Sequence, residues 1–139
     1  MLPYDSFLEM KFTLPKSERL HAEKSIKELF EKGSSFFLYP FKLIFLEGEG
    51  EEGQPNQVLF SVSKKKIKKA TGRNFIKRRL KEAYRLNKSL ISPSGLFLGF
   101  VFVGDARMSF GELEPKMKQV LHRISSEVSK NLGKHDSKN

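Results

Sequence analysis

VLFSVSKKKIKKATGRNFIKRRLKEAYRLNKSL, residues 58–90, is the stretch from which the rest of the chain can be read. Val58, Phe60 and Val62 recur at every second position, the period of a strand with one face on a core. From about residue 71 to 90 the period changes to that of a helix. Advancing ~100° per residue from Arg73 places Lys77, Lys88, Lys81, Asn74, Arg85 and Arg78 within an arc of about 40–140°. Phe75, Leu86, Leu90, Ala83, Ile76 and Leu80 fall between about 200° and 340°. One face of this helix is basic and the other apolar. Arg79 falls among the apolar positions, where its long stem can carry the charge past the core edge. Glu82 lies one residue off the basic face, within reach of Arg78 or Arg79.

Downstream, Ser92-Pro93-Ser94-Gly95 is a turn. The apolar run 96–103 reads as a buried strand. A final helix over 110–129 shows Leu113, Met117, Val120, Leu121, Ile124 and Val128 on one face. Upstream, 22–32 reads as a helix with Ile26, Leu29 and Phe30 as its i, i+3, i+4 apolar stripe and Gly33 at its end. Residues 36–39 and 41–46 are strand-like, parted at Pro40. The Gly- and Glu-rich stretch 47–57 is an exposed loop. The order α-β-β-β-α-β-α predicts an α+β sandwich, a mostly antiparallel sheet with helices packed on it. The strand–helix–strand unit 58–103 makes two of those strands parallel. One domain is expected over 16–130, after an irregular arm at 1–15 and before a polar, disordered tail at 131–139.

The charge is concentrated. The chain carries a net +10, and residues 64–90 alone carry +11: twelve cations against Glu82. The remainder is close to neutral. Solubility needs no such concentration, whereas counterion release from a polyanion exploits it. Lys64, Lys65, Lys66, Lys68 and Lys69 precede the helix, whose N-terminal amides add a partial positive charge. That combination reads phosphate backbone and shape rather than base sequence.

Other chemistries are poorly supported. There is no cysteine, so disulfides and thiolate metal sites are excluded. His21, His122 and His135 are scattered and lack metal-ligand spacing. Glu47, Glu49, Glu51 and Glu52 sit in a Gly-rich loop and read as solvated, and Asp105 as the start of a turn. No nucleophile–base pair or carboxylate pair is evident, so no catalytic residue and no metal ligand is expected. No apolar run reaches the ~18–20 residues of a membrane span. The expectation is a soluble, cytoplasmic RNA-binding protein with neither membrane nor DNA as partner.

The residues from Ser61 to Arg85 also resemble the signature of the bacterial ribonuclease P protein subunit. That signature is a strand ending S-V-x-K-K, followed by K-A-x-x-R-N-x-x-K-R-x-x-R-E-x-x-R. Arg19-Leu20, Phe30, Gly33 and Phe41 stand at further landmarks, and the resemblance covers roughly 15–130. It implies a fold like a ribosomal-protein domain, with a left-handed β-α-β crossover where the general rule expects the right hand. It implies a catalytic RNA partner that, with Mg2+, removes the 5′ leader from precursor tRNA. The protein would hold no cofactor firmly itself. Arg73, Asn74, Lys77, Arg78, Lys81 and Arg85, with Lys68 and Lys69, would meet the catalytic RNA. Ile26, Phe30, Phe37, Phe41 and Ile44 would form a groove for the leader, with Lys64, Lys65 and Lys66 at its rim. The chain departs from the pattern at Phe75, where a basic residue is frequent, and at Lys81, where an arginine is usual. Ile26 and Ile44 stand where aromatic residues are common. A non-catalytic RNA-binding module, ribosomal or chaperone, is the alternative; a protein-only nuclease is a third.

Overall fold

The computed structural model describes residues 14–47, 54–91 and 95–137. Helix α1 (Glu23–Lys32) leads into strand β1 (Ser34–Leu38). Tyr39 and Pro40 turn the chain into β2 (Phe41–Glu47). Strand β3 (Gln57–Val62) is followed by helix α2 (Ala70–Asn87), strand β4 (Leu96–Phe102) and helix α3 (Phe110–Ser137). Short 3-10 turns lie at Lys16–Glu18 and Lys88–Leu90. The order is the one expected. Helix α2 ends at Asn87 and closes in a 3-10 turn, and α3 continues through the segment expected as a polar tail, with helical backbone to Ser137. Residues 1–13 of the arm, and the loop glutamates 49, 51 and 52, lie outside the described residues.

The four strands lie in the order β1-β2-β4-β3. β1 and β4 each pair antiparallel with β2, while β3 runs parallel to β4. A parallel pair cannot be joined by a tight turn, and α2 supplies the crossover. Alternation along the strands divides the core. Phe41, Leu43, Phe45, Val58, Phe60, Val62, Leu98, Phe100 and Phe102 are buried with the inward sides of α2 and α3. Leu29 of α1, with Leu20 and Ile44, forms a second, smaller cluster, joined by Ile26, Leu46, Leu59 and Phe97. The sheet therefore has a thick layer on one side and a single short helix on the other.

That single helix sits very close. At Gly33 the amide donates to the Leu29 carbonyl at 2.9 Å and ends α1. A Cβ at Gly33 would collide with that carbonyl oxygen and stand 2.8 Å from Ile44 Cγ2. Backbone cannot yield as a side-chain tip can. Gly33→Ala should therefore lower stability by about 1–3 kcal/mol, read as a lower urea midpoint. An unchanged midpoint would mean that α1 can shift on the sheet.

Two polar ties hold the C-terminal end of α2. Lys88 Nζ donates to both carboxylate oxygens of Glu18, at 2.9 and 3.1 Å, in a largely buried pair. Asn87, buried among apolar neighbours, donates to the Ala83 carbonyl at 2.8 Å and to Glu114 at 3.2 Å. Burial, and then the charge of Glu18, hold the Tyr84 phenol well above its ordinary pKa. Its ring packs against Phe60 and Phe100.

Candidate nucleic-acid interface

The lysine turn is built to be rigid. Ile67 is buried, and its amide donates to the Ser63 carbonyl at 3.0 Å, closing the turn that carries Lys64, Lys65 and Lys66. All three lysines are exposed. A Cβ at Gly72 would come within 2.9 Å of Ile67 Cγ2, so this glycine lets the start of α2 close over the anchor. Arg73 Nη1 donates to the carbonyls of Ile67 at 2.9 Å and Lys68 at 2.7 Å. Arg73 thus braces the loop, and its charge stays at the mouth of the helix. Lys69 precedes α2 without a side-chain cap, and the first turn holds no acid. Its amide groups add to the positive end of the helix dipole.

Along the solvent face of α2, Asn74, Arg78 and Lys81 are exposed, and Lys77 and Arg85 half-buried. Glu82 pairs with Arg85, not with Arg78 or Arg79 as the wheel allowed. Arg85 Nε donates to Glu82 Oε2 at 3.2 Å, and this hydrogen bonding raises the guanidinium pKa further. At i,i+3 the two side chains are neighbours, and the bond orients Arg85. Arg78, Lys81 and Arg85 join Arg19 in lining a cavity of about 360 Å³, with Glu82 and Leu14. A parallel bridge to Val58 carries Arg19 to the edge of β3, a pairing no local pattern reveals.

The inward arc of α2 is rotated from the expected one. The buried residues are Ile76, Leu80, Ala83, Tyr84 and Asn87, which centre on about 330° rather than about 270°. Tyr84 moves inside, while Phe75 and Leu86 are left 51% and 37% exposed. Arg79 does escape the core edge. Its Nη1 donates to the Met108 carbonyl, and its guanidinium lies 4.1 Å from the centroid of the Phe75 ring.

On the α1 side of the sheet, one row is covered and the next is open. Ser35, Ile44, Gly99 and Leu59 are in register, and a Cβ at Gly99 would lie 3.2 Å from Leu29 Cδ2. The adjacent row is Phe37, Lys42, Val101 and Ser61. Phe37 is 59% exposed, Lys42 is exposed, and Val101 and Ser61 are half-buried. Two residues beyond Ser61 the chain enters the lysine turn. Phe30 on α1, 49% exposed, Ile26 and Ile44 belong to this side. Phe41 does not. It is fully buried on the opposite face, against Phe100 and Phe102, because β2 alternates and Phe41 shares the parity of Leu43 and Phe45. Lys42, not Phe41, is in phase with Ile44 on the α1 side of the sheet. Of the adjacent phenylalanines, Phe36 is inside and Phe37 outside, as adjacency in a strand requires.

Among the described residues no three His, Cys, Asp or Glu side chains gather where they could hold a metal ion. No helix among them is long and apolar enough to cross a membrane. Asp105 accepts from the Arg107 amide at 2.7 Å, a turn as expected.

The family model described as Ribonuclease P matches residues 14–125. A ribonuclease P protein component of Porphyromonas gingivalis is 33% identical over 131 residues, covering 90% of this chain and 96% of that relative. One of Chlorobaculum tepidum is 34% identical over 99 residues, covering 68% and 64%. Among solved structures, the RNase P protein of Thermotoga maritima aligns with a TM-score of 0.64 and 26% identity, over 76% of this chain and 96% of that one. The Staphylococcus aureus RNase P protein, at 22% identity and a TM-score of 0.63 over 79% and 96%, shares the fold. The matched span takes in the lysine turn, the basic helix and the open row of the sheet, and with these relatives it establishes that the chain belongs to the ribonuclease P protein family.

Proposed function

We propose that the chain is the protein subunit of a ribonuclease P ribonucleoprotein and assists removal of the 5′ leader from precursor tRNA in the cytoplasm. The observation that carries this reading is the basic face of α2, backed by a packed core and continuous with a rigid lysine turn. Cations held together on one helix repel each other, and a polyanion relieves that repulsion while releasing its counterions. Asn74, Lys77, Arg78, Lys81 and Arg85, with Lys68 and Lys69, engage phosphates of the catalytic RNA. Arg73 acts mainly by holding the loop. The open row of the sheet, which includes Phe37, with Phe30 on the neighbouring helix and Lys64, Lys65 and Lys66 at its rim, accommodates the single-stranded leader. An aromatic on such a surface stacks on any base, so leader binding tolerates sequence.

The work of the protein is positional and electrostatic. Holding the leader fixes the scissile bond relative to the RNA, which converts an encounter into an oriented complex. Neutralising phosphates lowers the Mg2+ concentration at which the RNA folds and acts. In this reading the magnesium is held by RNA phosphates. No proton transfer or bond-making step falls to a side chain of this protein.

The test is reconstitution. Catalytic RNA at low Mg2+ should cleave precursor tRNA slowly by itself and rapidly once the chain is added. Unchanged cleavage, with binding intact, would favour a non-catalytic RNA-binding module. Cleavage by the protein without RNA would overturn the assignment of chemistry to the RNA.

A further inference from the structure

The first turns of α2 carry an aromatic site that neither the basic face nor the groove uses. Phe75 is half in solvent near the start of α2. Its ring is not loose. The Arg79 guanidinium lies 4.1 Å from the ring centroid, and Arg79 is itself held by its bond to the Met108 carbonyl. The ring is thus ordered before any ligand arrives, so a planar partner stacking on it loses little to side-chain ordering. The surroundings restrict that partner. Arg78, three residues on, is exposed and cationic, and Lys68 and Lys69 lie just before the helix. An apolar protein surface docking here would leave these charges against it. A nucleotide presents an anionic phosphate and a π-face together. Helix neighbours at i,i+3 stand about 5–6 Å apart, the scale of one nucleotide from phosphate to base. A paired base hides its faces in the helix, whereas an unpaired one offers them.

We propose that Phe75 stacks an unpaired nucleobase of the RNA docked on α2, with Arg78 on the phosphate of that nucleotide and Arg79 as the positioning residue. The proposal rests on the reading of α2 as an RNA-binding face and deepens it, adding a base contact to a surface otherwise built for phosphates.

The test compares three ligands of equal length: a single-stranded oligoribonucleotide, the same strand without bases, and an RNA duplex. Phe75→Ala should weaken binding of the single strand about five- to hundredfold and leave the abasic strand and the duplex within about twofold. Phe75→Trp should retain single-strand binding, with its fluorescence quenched by that ligand and not by the abasic strand. Equal losses on all three ligands would show the ring merely supporting the basic face and would overturn the proposal. So would an unchanged affinity for the single strand. If the unaltered protein binds none of the three, the failure is that of the RNA-binding reading itself.

Discussion

Replacing Arg78 and Lys81 together by alanine is expected to weaken binding of the catalytic RNA roughly sixtyfold at 0.1 M salt and to flatten the salt dependence by about two phosphates. Both side chains are exposed on one face of α2 and line the cationic cavity with Arg19. Each phosphate contact contributes about 0.9 to the slope of log affinity against log salt, so both effects come from the same released ions. Stability should change by no more than about 0.5 kcal/mol, because neither residue supports the core. Arg73→Ala makes the informative contrast. Its guanidinium holds two loop carbonyls, so its loss should disorder the lysine turn and reduce affinity by more than its one charge explains. The measurement is affinity across a salt series for each variant. A double variant that keeps the parental slope would show that the RNA contacts another face.

The second large effect concerns the core. Phe100 lies fully buried at the centre of β4, with ring centroids 6.0 Å from Phe41, 5.4 Å from Phe60 and 5.9 Å from Tyr84. Through these partners it joins β2, β3 and α2 in one cluster. Phe100→Ala should cost about 3–5 kcal/mol, the transfer term plus the cavity left behind. For a domain of this size that lowers the melting temperature by roughly 10–20 °C. RNA affinity should then fall only as the folded fraction falls, since no cation on α2 is touched. Thermal unfolding and binding at low temperature separate the two. A loss below about 1 kcal/mol would mean that the aromatic cluster collapses to fill the space.

Much of this protein could be read along the chain. Period two around Val58 and period 3.6 after Thr71 are local properties, because residue types repeat with the geometry of the element they form. The excess of cations over residues 64–90 is likewise independent of folding. The element order followed, and with it the expectation of a parallel strand pair, since neighbouring parallel strands need a crossover such as the helix between them. The exposure of Phe37 beside buried Phe36 needed no more than the pleat.

Sequence alone therefore determined the elements, the amphipathic character of α2 and the location of the positive charge, all of which depend on near neighbours. Tertiary structure decided which way those elements face. Packing of α3 beside α2 turned the inward arc by about 60°, drawing in Tyr84 and leaving Phe75 outside with Arg79 on its ring. Pairing of β1 with β2 set Lys42 beside Phe37, and insertion of β4 between β2 and β3 put Val101 and Ser61 in the same row, on the face opposite the core that holds Phe41. Arg73 became a brace because the lysine turn folds back over the start of the helix. Each of these depends on contacts between segments remote in sequence, or on the path of a loop, and neither is encoded in the period of any single stretch.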